Sequence, residues 1–255
     1  MTRGLYTAAT GMNLQVQRMD LVSNDLANVN TTGYKKETAI AASFDEVLVH
    51  RMKDIKNGEN HNEEIGKMTY GVALVDVYTR FDQGSFQLTG DSKNLAIKGD
   101  GFFVVETENG NKYTRDGAFN VANDGTLVTK EGYPVQGANG AVSLGEEYLN
   151  TGGDLAISED GTITINGEYI DTIQLVQFED NQALIKEADN LYSFDGEPTP
   201  SNATIVQGYL ETSNVNSVNA MVDMITVSRA YEASQKLVQA HDELMSKAVN
   251  EVGRA

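Results

Sequence analysis

Apolar residues recur every seven positions at both ends of the chain. Near the start, Leu5, Met12, Met19 and Leu26 keep this spacing, with Ala9 and Val16 four residues after the first two and Ala8 and Val22 filling the stripe. A period of seven gathers side chains into one row along a helix, the geometry of a coiled-coil seam. The pattern predicts a helix from Thr2, a suitable N-cap, to Asn30. It ends in Asn28-Val29-Asn30-Thr31-Thr32-Gly33, a run of turn-forming residues closed by glycine. Near the end, Met224, Tyr231, Val238, Met245 and Val252 repeat the spacing, flanked by Val227, Leu237, Leu244 and Ala248. No Gly or Pro interrupts 209–252, and Gly253 is the expected stop. Glu243 and Lys247, four residues apart, support the exposed side of this second helix.

Between the ends the period changes to two. Residues 71–81 alternate, and Phe102-Phe103-Val104-Val105 reads as a buried strand. Asn109-Gly110, Asp116-Gly117, Asp124-Gly125, Glu131-Gly132, Asp160-Gly161 and Asn166-Gly167 mark tight turns between short antiparallel strands. The polar stretch Lys53 to Lys67 is expected to be a mobile linker. The fold class that follows is α+β: N- and C-terminal helices pairing as a coiled-coil-like hairpin, with a central, mainly antiparallel β domain. The expected divisions are 1–36 for the first helix and its turn, 37–69 for the linker, 70–210 for the β domain and 211–255 for the last helix.

Charge sharpens this division. The 255 residues carry a net charge of −18, and 37–210 hold all of it, with 11 basic against 29 acidic side chains. The first 36 residues stand at +2 and the last 45 at −2. Nucleic-acid binding needs a basic face, so that class is excluded. An acidic middle between nearly neutral ends places solvent around the middle and contacts at the ends. No run of 18 apolar residues is present, and Met1 to Met12 lack the apolar stretch of a cleaved secretory signal. Cysteine is absent, which removes disulfides and thiolate ligands.

No motif along the chain points to catalysis, a metal or a cofactor. His50, His61 and His241 are scattered and make no metal-ligand spacing. Lys98-Gly99-Asp100-Gly101 lacks the remainder of a phosphate loop and reads as a turn into the Phe102 strand. Asn123-Asp124-Gly125 and Glu159-Asp160-Gly161 lack the alternating acidic positions of a calcium loop. Among 37 acidic residues some pair will meet the roughly 5 to 10 Å of a glycosidase by chance, and no Gly-x-Ser-x-Gly motif occurs. The expectation is a chain with no catalytic, cofactor-binding or metal-binding residues. Five of eight methionines, Met12, Met19, Met221, Met224 and Met245, fall in the helices, where they fill a seam or repack against unlike neighbours.

Three sets of residues resemble one family in its own order. Leu5 to Met12 with Ser23 to Lys35, Leu95 to Phe103 with Tyr113 to Phe119, and Ser213 to Asn216 with Met221 to Ile225 and Arg229 to Glu232 are similar to the signatures of the flagellar hook–basal body rod family. The resemblance implies a structural subunit of the rod, most like a distal rod protein, with a proximal rod protein as the alternative. Where distal rod proteins commonly carry a Gln/Pro/Gly-containing segment, this chain has the acidic, Asn-rich Arg51 to Lys67. It further implies passage through the flagellar type III export apparatus, location in the basal body beyond the cytoplasmic membrane, and contact with other rod and hook proteins. The subunit is expected to polymerise into a hollow, torque-transmitting shaft. Leu5, Met12, Val16, Met19, Leu26, Met221, Met224, Tyr231, Val238 and Met245 are the candidate polymer interface, and Asn28, Asn30 and Gly33 the signature turn. A cell-wall-acting enzyme and an adhesin-like β protein are the readings from other classes.

Overall fold

The structure is a computed structural model that describes residues 2–50, 54–56, 59–61, 64–145, 148, 153–188 and 190–252. Helix α1 spans Thr2–Ala27 and helix α2 spans Ser217–Lys247, the latter running on into a π-helical turn at Ala248–Val252. Thr2 is already helical, so the cap position falls before it, outside the described residues, as does the stop expected at Gly253. Between the helices the described residues are mainly strands and turns, with a short 3-10 helix at Asn181–Ala183, and the strand pairs are antiparallel wherever register is defined. The chain is α+β.

Two compact units divide it. The first contains both helices and residues 37–78. The helices touch: a Cβ on Gly4 would fall 2.8 Å from His241 Nε2, and one on Gly11 would lie 3.9 Å from Ser234 Oγ. In the same unit, Glu37–Ser43 pairs with Val72–Thr79, Val47–His50 with Glu64–Met68, and Asp54–Lys56 with Glu59–His61. The stretch expected to be a linker therefore carries strand pairs in its described residues, while 51–53, 57–58 and 62–63 lie outside them. Ile40, Val47, Leu48, Ile65 and Val75 are exposed along these strands, and Phe44 just after the first of them.

The second unit, 27–36 with 79–216, holds the β body. Its largest sheet orders six strands: Ile185–Lys186, Leu191–Ser193, Gly110–Thr114, Phe102–Thr107, Leu175–Gln177 and Thr199–Pro200. Phe102–Thr107 sits inside this sheet and is covered on both faces. Phe103 and Val105 point into one cluster with Leu95, Ile97, Phe119, Val135 and Ile163. Phe102 and Val104 point into the other with Tyr113, Val176, Phe178 and Tyr192. Successive side chains of a strand face opposite ways, so the unbroken apolar run Phe102 to Val105 needs two cores. Phe102 meets Phe178 and Phe81 edge-on, each at 5.4 Å between ring centres.

A three-stranded meander, Leu155–Ile157, Thr162–Ile165 and Glu168–Thr172, completes one side of the larger cluster. Its second turn is Asn166-Gly167, both at positive φ (53° and 86°), the backbone that a two-residue hairpin of this hand requires. Four other dipeptides, at Gly110, Gly125, Gly132 and Gly161, also close turns at positive φ. Asp116-Gly117 is the exception. Gly117 passes against the Leu95 carbonyl, and its role is close backbone approach instead of strand reversal.

Candidate functional site

In α1 and α2 the heptad positions are the partly covered ones. Leu5, Met12, Met19 and Leu26 are half-buried, as are Met224, Tyr231, Val238 and Met245. Val16 and Met221 are exposed. Fully buried on the helices are Ala8, Leu14 and Asp25 on α1, and Ala220 and Val227 on α2. The carboxylate of Asp25 accepts a hydrogen bond from the Glu37 backbone N–H at 3.2 Å, fastening the first strand of its unit to the helix. Ser234 does not register in an apolar pattern, and neither the burial of Asp25 nor the place of His241 opposite Gly4 shows in one.

A second set of side chains on α2 is uncovered. Val218, Val222 and Ile225 follow one another by four and three residues, and Leu237 and Leu244 lie seven apart. These five are 53% to 66% exposed. The spacing places them in rows along the helix, separate from the half-buried heptad.

The turn after α1 is built into the β body. Asn28 holds the turn together locally: its carbonyl accepts from the Thr31 N–H at 3.1 Å and its side-chain oxygen from the Thr31 hydroxyl at 3.1 Å. Asn30 is exposed. Gly33 is buried at φ +68° and donates its N–H to the Glu211 carbonyl at 2.9 Å. On either side of it, Thr32 donates to Asp116 Oδ1 at 2.6 Å, and Tyr34 is enclosed with the Lys186 ammonium 4.1 Å above its ring. Lys36 then donates its N–H to the Asn214 side chain at 2.7 Å. Thus the residues following α1 and those preceding α2 are joined within one unit.

At the centre is a buried charge cluster. Lys35 Nζ lies 2.6 Å from Glu211 Oε1, with the two side chains 0% and 1% exposed. The ammonium also donates to the Asp82 carbonyl at 3.0 Å, and Glu211 Oε1 accepts from the Gly84 N–H at 2.8 Å. Arg115, equally enclosed, sits 3.7 Å from Glu211 Oε2, donates to the Gly99 carbonyl at 3.0 Å and lies 5.0 Å over the Phe102 ring. Burial pushes the Lys35 ammonium below its usual range, with Glu211 opposing the shift. Burial lowers Arg115 in the same way, again against Glu211. The sequence gives no local sign of this cluster, whose principal pair is 176 residues apart.

Among the described residues, no three histidine or acidic side chains are gathered where they could hold a metal ion. His50 is exposed on its strand and His241 is half-buried against Gly4. No described helix is long and apolar enough to cross a membrane. With helices at both ends, uncovered apolar rows and a β body braced by a buried ion cluster, the chain has the makeup of a structural subunit.

Comparison with known proteins gives the same class a family. A model of the C-terminal part of flagellar basal body rod FlgEFG proteins matches residues 206–251, the D1 domain of the flagellar hook protein FlgE/F/G matches 96–165, and the flagella basal body rod protein model matches 5–35. The flagellar basal-body rod protein FlgG of Buchnera aphidicola from Schizaphis graminum is 33% identical over 266 residues, covering 97% of this chain and 98% of the relative. FlgG of Agrobacterium fabrum is 35% identical over 265 residues, covering 96% and 97%. The flagellar basal-body rod protein FlgF of Caulobacter vibrioides is 33% identical over 257 residues, covering 100% and 99%. The chain belongs to the flagellar basal-body rod protein family, whose members are structural and not enzymes.

Proposed function

We propose that the chain is a structural subunit of the flagellar basal-body rod, of the distal, FlgG-like type, and that it polymerises through its terminal helices into a hollow shaft that carries torque. The observation that carries this reading is the double patterning of α2. One set of apolar residues is half-buried and a second, Val218, Val222, Ile225, Leu237 and Leu244, is uncovered. Covering five such side chains is worth about 1 kcal/mol each, since they are a little over half exposed. Repeated in every subunit, that gain favours association with further copies.

Within the subunit we assign the helices to a coiled-coil-like hairpin. Its support is register. Gly4 faces His241 and Gly11 faces Ser234, so a seven-residue advance on α1 matches a seven-residue retreat on α2. The covered positions of α2, from Ala220 through Met224, Val227, Tyr231, Ser234, Val238 and His241 to Met245, step by four and three in turn. Leu5, Met12, Met19, Leu26, Met224, Tyr231, Val238 and Met245 then serve mainly to close this hairpin, while Val16 and Met221, both exposed, join the outer rows as the polymer interface. In this scheme helices α1 and α2 build the shaft, and Asn28, Asn30 and Gly33 set where α1 ends.

The partners of such a subunit are further copies of itself, the neighbouring rod and hook proteins, and the flagellar export apparatus that delivers it. The test is assembly of the purified chain, followed by sedimentation and electron microscopy. Filaments or tubes whose formation is lost in Leu237→Asp support the reading; a chain that stays monomeric at every concentration overturns it. A proximal position is the second reading, favoured by the end-to-end match to the Caulobacter FlgF protein. Basal bodies from a deletion strain separate the two: a rod truncated at its outer part with the inner part retained fits the distal position.

A further inference from the structure

Glu211 is a meeting point for segments that are far apart in the chain. Its carboxylate takes Lys35 from the turn after α1 and the N–H of Gly84, and its carbonyl takes the N–H of Gly33. Its own strand, Tyr209–Glu211, pairs with Phe86–Leu88. Arg115, next to Glu211 Oε2, follows the strand Gly110–Thr114 of the six-stranded sheet and rests on Phe102 of that sheet. Glu211 therefore links the strap 31–36, its own two-stranded ribbon and, through Arg115, the central sheet.

The charges in this cluster do not balance one to one. Lys35 and Arg115 bring two cations to one carboxylate, and all three side chains are at most 1% exposed. Glu211 Oε2 and Arg115 Nε accept and donate no hydrogen bond. A buried charge is tolerated when paired and costly when its partner is missing. A body formed before the strap docks would enclose Glu211 without Lys35, and one formed before residue 211 is present would enclose two cations with no carboxylate between them.

We propose that Glu211 is the latch of the β body: the central sheet closes stably only when the strap 31–36 and the strand Tyr209–Glu211 are both in place, so that the body folds last and fixes the departure points of α1 and α2 in one event. The strap enters from residue 31 and the carboxylate lies in the last fifth of the chain, so no shorter N-terminal portion can close. Lys36 and Asn214, joined by their hydrogen bond, become neighbours at the same step. This inference concerns the single chain and stands apart from how it polymerises.

The test is hydrogen exchange of the full-length monomer, read segment by segment, for Glu211→Gln, Lys35→Met and the double variant. Lys93→Met, which removes the part-exposed Lys93–Asp91 pair with no member in the strap, is the control. Removing one member of a buried pair is expected to open the protein roughly 100- to 1,000-fold more often. In Glu211→Gln that opening should appear in the strap and equally in Phe102–Thr107 and Gly110–Thr114. Lys35→Met should open the same segments less, because Arg115 still faces the carboxylate. The double variant should exchange more slowly than Glu211→Gln alone, since one unpaired cation has gone. The control should match the unaltered protein.

Faster exchange confined to 31–36, with the sheet still protected, overturns the proposal, and so does strict additivity of the two substitutions. If Glu211→Gln yields no folded protein, Lys35→Met decides: a sheet as protected as in the unaltered chain overturns the latch, and joint loosening of strap and sheet upholds it.

Discussion

The α-carbon of Gly33 is packed against the backbone of Asp116 so closely that a methyl group on it would overlap the Asp116 amide nitrogen and the Arg115 carbonyl carbon. Gly33 also holds φ at +68°, where a side chain adds strain. Gly33→Ala is therefore expected to destabilise the β body by about 2 to 4 kcal/mol, combining overpacking with backbone strain. Urea unfolding followed by tyrosine fluorescence measures this. A midpoint within error of the unaltered protein would mean that the strap moves freely off Asp116.

Gly4 and Gly11 look equivalent in sequence, seven apart in one helix, but their surroundings separate them. A methyl on Gly11 would lie 3.9 Å from Ser234 Oγ, an ordinary contact, whereas one on Gly4 would press on the His241 ring at 2.8 Å. Gly11→Ala should gain about 0.5 to 1 kcal/mol from helix propensity. Gly4→Ala should gain less or lose, because His241 has to move. Thermal melting of the helical circular dichroism signal should rank Gly11→Ala above Gly4→Ala. The reverse order would place the helices in a different register.

Lys35 gives a pH dependence of defined sign. Its ammonium has a lower proton affinity in the folded chain than the ordinary value of 10.5, because burial outweighs Glu211. Between the folded value and 10.5 the unfolded chain holds more protons, so stability rises with pH across that window. Below the folded value the full penalty for the buried charge is present. Lys35→Met lacks this group, so the stability of the unaltered protein relative to Lys35→Met should increase as pH is raised toward 10.5. Urea midpoints of both proteins at several alkaline pH values test it, and tyrosine and other lysine titrations largely cancel in the difference. A gap that narrows would require Lys35 to be stabilised as a cation.

What could be read from the sequence follows the range of the interactions. The run Phe102 to Val105 was legible because burial on both faces leaves no polar residue in it. One half-buried row of α2 was legible from Met224, Tyr231, Val238 and Met245. Val227 read as a flank of that row, while Ser234 and His241 were hidden, because what fits opposite glycine is set by shape and not by hydropathy. Leu237 and Leu244 read as flanks of the seam, yet they are uncovered. The strands in 37–68 were obscured by exposure, since few buried positions leave little alternation to detect, whereas Val72–Thr79 showed in the alternation of 71–81. Asp116-Gly117 carries the composition of a hairpin turn but serves a close approach to Leu95. The Lys35–Glu211 pair had no local signature, since neither residue can be told from a surface charge without its partner.

The uncovered row of α2 separates assembly from folding. Leu237 and Leu244 are each 57% exposed, so an aspartate at either position meets mostly water in the single chain. Surface substitutions of this kind cost within about 0.5 kcal/mol of stability, apart from the small loss in helix propensity. In a polymer the same carboxylate would be buried without a partner against the next subunit, a penalty of several kcal/mol per contact. Leu237→Asp and Leu244→Asp are therefore expected to leave the monomer's unfolding midpoint almost unchanged while raising the concentration needed for assembly at least 100-fold. Met224 is half-buried on α2, so Met224→Asp should lower the monomer's stability as well as weaken assembly. Sedimentation across a concentration series, together with circular dichroism of each monomer, distinguishes the two kinds of variant. If Leu237→Asp and Leu244→Asp assemble as readily as the unaltered chain, neighbouring subunits do not meet along this row, and the contact has to be sought on the exposed strands of residues 37–79.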